Sequence, residues 1–203
     1  MLQDSRGYLW MGTRGGGLTR FDGISFRTFT TKDGLANNYI LCIVEDAAHN
    51  LWIGSNNGLS FYNGITFTNY YPDKQVAVQI NEIGIDSRQH LWLASNRGLL
   101  HFDKQVFKNI SAQVHDNQHS INTVLPLAAG KILYANANGL FTLLDDANST
   151  AVTLNRNIQQ INCLRADANG RIWLGTYGLG VFIGDGSIFF PIKADGRLNN
   201  AIV

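Results

Sequence analysis

A phrase of fourteen residues, Asn50 to Asn63 (NLWIGSNNGLSFYN), returns in altered form at Tyr8 to Asp22, His90 to Asp103, Lys131 to Leu144 and Arg171 to Gly184. All four tryptophans, Trp10, Trp52, Trp92 and Trp173, occupy one position in it, and Leu133 takes that position in the remaining copy. The spacings are 42, 40, 41 and 40 residues, so one period runs from end to end. A unit of this length cannot bury its apolar face alone, and stacking neighbours in series does so.

Within one period the pattern predicts four short strands. Tyr39 to Glu45 is apolar and β-branched, which suits a first strand buried on both faces. Asp46 to His49 is a turn, matched by Asp4 to Gly7 and Asp167 to Gly170, in which the Asp side chain accepts backbone N–H bonds. His49 and Gln89 stand where the other copies have Gly, so a left-handed backbone there would cost about 1 kcal/mol, or the turn is of another type. The second strand is Leu51 to Ser55, and the third is Leu59 to Tyr62. Asn63-Gly64 and Asp22-Gly23 are hairpin signals, and Thr66 to Tyr70 completes the unit. A small residue follows the Trp at one remove, at Gly12, Gly54, Ala94, Ala135 and Gly175, which admits a close neighbour.

Four antiparallel strands per 40 residues or so describe a propeller blade, and no amphipathic helical stripe competes. The expected fold is all-β: a β-propeller of five four-stranded antiparallel blades forming one domain over 1–203, with repeats near 1–38, 39–79, 80–119, 120–159 and 160–200. The fourth repeat is the most degenerate, with Leu127 where the opening Asp would stand. The terminal segments align so that the two ends could share one first strand, which leaves open a closed five-bladed ring and a piece of a larger one. Cys42 and Cys163 occupy equivalent positions three repeats apart, too far for a disulfide, and are expected to be buried free thiols. With 16 basic and 15 acidic residues spread along the chain, there is no electrostatic footprint for nucleic acid or an anionic membrane.

The pattern D-x-x-G-x-L-W-x-G-T-x-x-G-L-x-x-F-D-G, running from Asp4 to Gly23 with variants from Asp46, Asp86 and Asp167, resembles the two-component regulator propeller repeat. The connectors Asp33 to Asn38 and Asp195 to Asn200 are similar to that family too. The resemblance implies the extracytoplasmic, periplasmic-side sensor module of a bacterial envelope receptor. The rest of such a receptor would be a β-sandwich, a transmembrane helix and a histidine kinase or diguanylate cyclase output. It also implies a ligand such as an oligosaccharide, because some related members respond to these.

In a propeller the turns between second and third strands share one face with the connectors between repeats. That rule puts Arg14, Asn56, Asn57, Asn96, Arg97, Asn136, Asn138 and Tyr177 together, with Asn37, Asn38, Asn199 and Asn200 from the connectors. Amides, guanidinium groups and an aromatic ring suit a polar, hydroxyl-rich ligand. Asn before Gly is equally a turn former. The ligand-binding candidates are therefore Arg14, Asn56, Asn57, Asn96, Arg97, Asn138 and Tyr177. The pair His115 and His119 would face a metal together only on a helix, and the surrounding residues read as loop. His49 and His90 fall in turns on the other face. The repeated Asp4, Asp46, Asp86 and Asp167, one per blade, read as structural. Neither a metal site nor a cofactor is expected. Propeller lyases with similar repeats use a His and an acid near the channel, and here no His falls on a first strand or in a turn of the candidate face. The expected function is recognition without catalysis, the alternative being a structural or protein-interaction propeller with no small-molecule ligand.

Overall fold

The computed structural model describes residues 1–110, 120–145, 148–152, 158 and 160–192. His115, His119, Asn199 and Asn200 lie outside them. Every described strand belongs to one of five four-stranded antiparallel sheets, each ordered as in sequence. The first holds β1 (Leu2–Gln3), β2 (Leu9–Gly12), β3 (Leu18–Phe21) and β4 (Phe26–Phe29), and the second β5 (Ile40–Glu45), β6 (Leu51–Ser55), β7 (Leu59–Tyr62) and β8 (Phe67–Tyr70). The third holds β9 (Ile80–Ile85), β10 (Leu91–Ser95), β11 (Gly98–Phe102) and β12 (Phe107–Asn109). The fourth comprises β13 (Ile121–Pro126), β14 (Ile132–Asn136), β15 (Gly139–Asp145) and β16 (Asn148–Ala151). The fifth comprises β17 (Ile161–Ala166), β18 (Ile172–Thr176), β19 (Gly180–Gly184) and β20 (Phe189–Pro191).

Alternation along the second strand of each sheet explains the stacking, because successive side chains leave opposite faces. Trp52 points toward the third sheet and shares a core with Ile80, Leu91, Leu93 and Phe102. Leu51 and Ile53 point the other way, into a core with Trp10, Leu18 and Phe29 of the first sheet. Trp92 meets Ile121, Ile132 and Tyr134, and Leu133 meets Ile161, Ile172 and Leu174. Each core thus joins one sheet to the next. Among the described residues none joins the fifth sheet to the first.

The small residue after the Trp is needed for this approach in the second sheet. A Cβ on Gly54 would collide with Cys42 Sγ and lie 2.9 Å from Ile80 Cγ2. The first strand is less covered than its apolar sequence suggests. Of β5 only Ile40 is buried, and the other five residues are half-buried. The first strands of sheets two to five pack against one another in series. Cys42 and Cys163 are free thiols and half-buried rather than fully so. Burial and the Glu82 carboxylate push the Cys42 thiol up.

The repeated Asp organises the turn before the second strand. Asp46 Oδ1 accepts N–H bonds from Ala48 at 2.9 Å and Asn50 at 3.0 Å, and Oδ2 accepts the indole N–H of Trp52 at 3.2 Å. The same indole bond recurs from Trp10 to Asp4 at 2.8 Å, Trp92 to Asp86 at 3.1 Å and Trp173 to Asp167 at 3.0 Å. In the fourth sheet Leu127 keeps only the backbone bond of this turn, to Lys131 at 2.7 Å. Leu133 has no N–H to satisfy there, so Asp and Trp are lost together. At the fourth turn position His49 and Gln89 both adopt φ of 62°, the left-handed option.

Candidate functional site

The turns joining second to third strands are built by the last residue of the second strand. Ser55 Oγ donates to the carbonyl of Gly58 at 2.9 Å and accepts the N–H of Asn57 at 3.2 Å. Ser95 repeats this with Gly98 at 2.6 Å and Arg97 at 3.1 Å. Thr13 and Thr176 donate to Gly17 and Gly180. Asn136 belongs to this supporting role rather than to an exposed surface. It is fully buried, and its carboxamide oxygen accepts the N–H of Asn138 at 2.8 Å.

All seven candidate ligand residues fall in these turns. Arg14 is exposed and forms a bridge with Tyr39. Asn56 is exposed and donates its N–H to Tyr39 at 3.0 Å, while Asn57 is half-buried. Asn138 is exposed, and Tyr177 is 55% exposed with its N–H on the Gln160 carbonyl. In the connector, Asn37 and Asn38 are spent on backbone: their carboxamide oxygens accept the N–H groups of Tyr39 and Thr31, each at 2.8 Å.

Asn96 and Arg97 come together on a concavity. They line a cavity of about 660 Å³ with Pro72, Asp73, Val78, Leu100, Phe107 and Asn109. Its walls come from the connector between the second and third sheets and from β11 and β12. None of these residues belongs to a first strand, so the cavity sits toward the outer strands rather than at a central mouth. Asn96 is held rigidly, since its Oδ1 accepts the Gln79 N–H at 3.0 Å and its own N–H donates to the Gln79 carbonyl at 3.2 Å. Asn109 Nδ2 donates to the Arg97 carbonyl at 3.1 Å. The N–H groups of Gln75 and Val76 hold the Asp73 carboxyl below its ordinary value, and the Arg97 charge adds to this. The cavity thus offers a carboxylate, a guanidinium, two carboxamides and the apolar edges of Phe107 and Leu100.

On the first strands Glu82 is buried and pairs with Arg165 of the fifth sheet, and it accepts the Thr123 hydroxyl and the Val124 N–H. Burial pulls the Arg165 guanidinium down, and the Glu82 charge and hydrogen bond outweigh it and hold it up. Among the described residues no histidine lies on a first strand.

A second group was not foreseen from sequence. Asp86, His90 and His101 bring ligand-type atoms within 4.8 Å of one another at the opposite ends of the strands. The signal was the hairpin register: His101 pairs across from Trp92, two residues beyond His90.

No helix among the described residues is long and apolar enough to cross a membrane. Comparison with curated protein sequences gave no match. Among solved structures, the chain superposes on the extracellular domain of BT3049 from B. thetaiotaomicron, described as a hybrid two component system. The TM-score is 0.73 at 18% identity, over 98% of this chain and 29% of that one. PorZ, a surface component of the type-IX secretion system of Porphyromonas gingivalis, matches with TM-score 0.69 at 18% identity, over 95% of this chain and 34% of that one. The virginiamycin B lyase of Staphylococcus aureus matches with TM-score 0.73 at 12% identity, over 97% of this chain and 70% of that one. The chain therefore spans about a third or less of the receptor and secretion proteins, and at these identities the likeness is one of fold. Residues 34–57 and 155–178 match the family model described as two component regulator propeller. With five four-stranded sheets in sequence order the chain is a β-propeller, and two of its repeats are similar to the two component regulator propeller family.

Proposed function

We propose that this propeller is the non-catalytic recognition module of a bacterial envelope receptor, on the extracytoplasmic side, and that it binds a polar, hydroxyl-rich ligand such as an oligosaccharide. The observation that carries the reading is the cavity of about 660 Å³ lined by Asn96, Arg97, Asp73 and Asn109 beside Phe107. Planar amides, a guanidinium and a carboxylate match vicinal hydroxyls, and a ring edge covers the apolar face of a sugar. On the inner strands Glu82 is engaged by Arg165 and by the Thr123 hydroxyl, which suits a structural rather than a catalytic role for this carboxylate. The family match and the similarity to a receptor's extracellular domain support the receptor context.

A thermal-shift screen with defined oligosaccharides tests this, since a ligand selective for the native state raises the midpoint, by about 2.7 kcal/mol of stability at 100 times Kd. An Arg97→Ala variant should lose the shift, and Arg14→Ala, in a different turn, should keep it. A second reading, a surface for a partner protein, is favoured by Tyr177 and Leu179, each 55% exposed in the turn after β18. Absence of any glycan shift, together with binding of a partner protein lost in a Tyr177→Ser variant, would establish that reading instead.

A further inference from the structure

At the end of the strands opposite the proposed ligand cavity, the third sheet departs from its siblings. Asp86 opens the turn after β9, His90 directly precedes β10, and His101 lies on β11. One ligand-type atom from each lies within 4.8 Å of the others. The His90 and His101 rings meet edge to face at 5.1 Å, and His101 also packs 4.7 Å from the Trp92 ring.

The corresponding positions elsewhere hold no imidazole pair. Across from the Trp position stand Arg20, Phe61, Thr142 and Ile183, where the third sheet has His101. In place of His90 the second sheet has Asn50, whose amide donates to Asp46, and the fifth has Arg171, whose Nε donates to Asp167 at 2.7 Å. In the first sheet Arg20 lies 4.6 Å over the Tyr8 ring. In the second and fifth sheets the side chain at the His90 position bonds to the Asp, and the third instead sets two imidazoles beside it.

The carboxylate is already oriented. Asp86 Oδ1 accepts the N–H groups of Arg88 and His90, each at 2.9 Å, and Oδ2 accepts the Trp92 indole N–H at 3.1 Å. Such outer bonds fix a metal-binding carboxylate and tune its affinity. All three residues also border a cavity of about 570 Å³ between the third and fourth sheets, so an ion has a way in and room for further ligands.

We propose that Asp86, His90 and His101 form a site for one divalent transition-metal ion, Zn²⁺ foremost, with the remaining coordination position open to the cavity. Two imidazoles and a carboxylate are the donor set that borderline ions such as Zn²⁺ and Co²⁺ prefer over Mg²⁺ or Ca²⁺. Zn–N and Zn–O bonds near 2.0–2.2 Å put tetrahedral ligands about 3.3 Å apart, so the two rings close by side-chain rotation of about 1 Å. Arg88, which lines the same cavity, favours an anionic group or hydroxide in the open position. The proposal stands independently of the sugar-binding reading.

The test is calorimetric titration of the full chain with Zn²⁺ alone, paired with the visible spectrum of the Co²⁺ form. Wild type should bind one ion. His90→Asn and His101→Phe copy the second sheet's own residues, so both should fold, as circular dichroism would verify. Each should weaken binding at least about 100-fold, beyond the 10- to 100-fold typical of losing an outer-shell partner. His49→Ala and the double variant His115→Ala, His119→Ala should bind as wild type. No heat of binding in the wild type, unchanged affinity in His90→Asn or His101→Phe, or loss of binding in the His115, His119 double variant would each overturn the site.

Discussion

Asp46 is 6% exposed and serves four donors with two oxygens, the N–H groups of Ala48 and Asn50, the Asn50 side-chain amide and the indole of Trp52. Asp46→Asn keeps one acceptor and turns a donor toward another donor. It should cost about 2 kcal/mol, read as a shift of the denaturation midpoint at constant m-value. The fourth sheet offers the reverse case. Thr142 Oγ1 is buried and has no hydrogen-bond partner among the described residues. Replacing its hydroxyl with a methyl in Thr142→Val removes an unmet polar group, so stability should hold or rise by about 1 kcal/mol. Acid acts on the same turns. The Trp173 indole bond, with N–H bonds from Arg171 and Asn169 and the Arg171 side chain, outweighs burial and lowers the Asp167 carboxyl from 3.8 to about 2. The folded value lies below the unfolded one, so the stabilisation is complete above pH 3.8 and is lost as the pH falls through about 2. Trp173→Phe removes the largest cause, and an NMR titration of the Asp167 carboxyl should then give a higher pKa.

At the scale of the sheet, the tryptophan position carries different weight in different places. Trp52 is 2% exposed and packs against Phe61, Tyr70 and Phe102 within a core that joins two sheets. Trp52→Ala should cost about 3–5 kcal/mol, the range for a large buried aromatic. Trp173 sits at the same register but is only half-buried, because no described sheet lies over its face. Trp173→Ala should cost less than half as much, and comparing the two urea midpoints checks this. The sequence made the four strands of the second sheet legible: its second and third strands run Leu51–Ser55 and Leu59–Tyr62 as expected, and the first and fourth differ by one residue at the start. Alternation and turn chemistry are local, which is why they could be read. The half-burial of β5 was not legible, since an apolar β-branched run looks the same whether one face or both are covered.

At the scale of the whole molecule, the sheets stack in series, and among the described residues a face of the first sheet and a face of the fifth are left uncovered. On the first sheet Phe26 is 68% exposed and stacks on Phe21, in register with Leu9. On the fifth Phe190 is 61% exposed, in register with Ile183 and Trp173. Flat apolar sheet faces associate in water. The isolated chain should self-associate as concentration rises, and Phe26→Lys with Phe190→Lys should lower light scattering while changing stability by no more than about 0.5 kcal/mol. A fall in stability of several kcal/mol would show instead that these two faces are covered in solution.

The repeat and its turn residues determined the fold, because a period of about 40 residues with a large apolar residue, Trp in four units and Leu133 in the other, at one position forces each sheet to bury its face on the next. They also placed Arg14, Asn56, Asn57, Asn96, Arg97, Asn138 and Tyr177 in equivalent turns, since chain order fixes which end of a strand a turn occupies. Tertiary structure decided what periodicity cannot express. Equivalent turns are not equivalent surfaces: at Asn96 and Arg97 a long connector and the outer strands wall off a cavity. Likewise His90 and His101, eleven residues apart and unremarkable in sequence, meet at Asp86 only because the β10–β11 hairpin folds one strand back upon the other. Proximity across a hairpin depends on register, and register is set by the whole sheet.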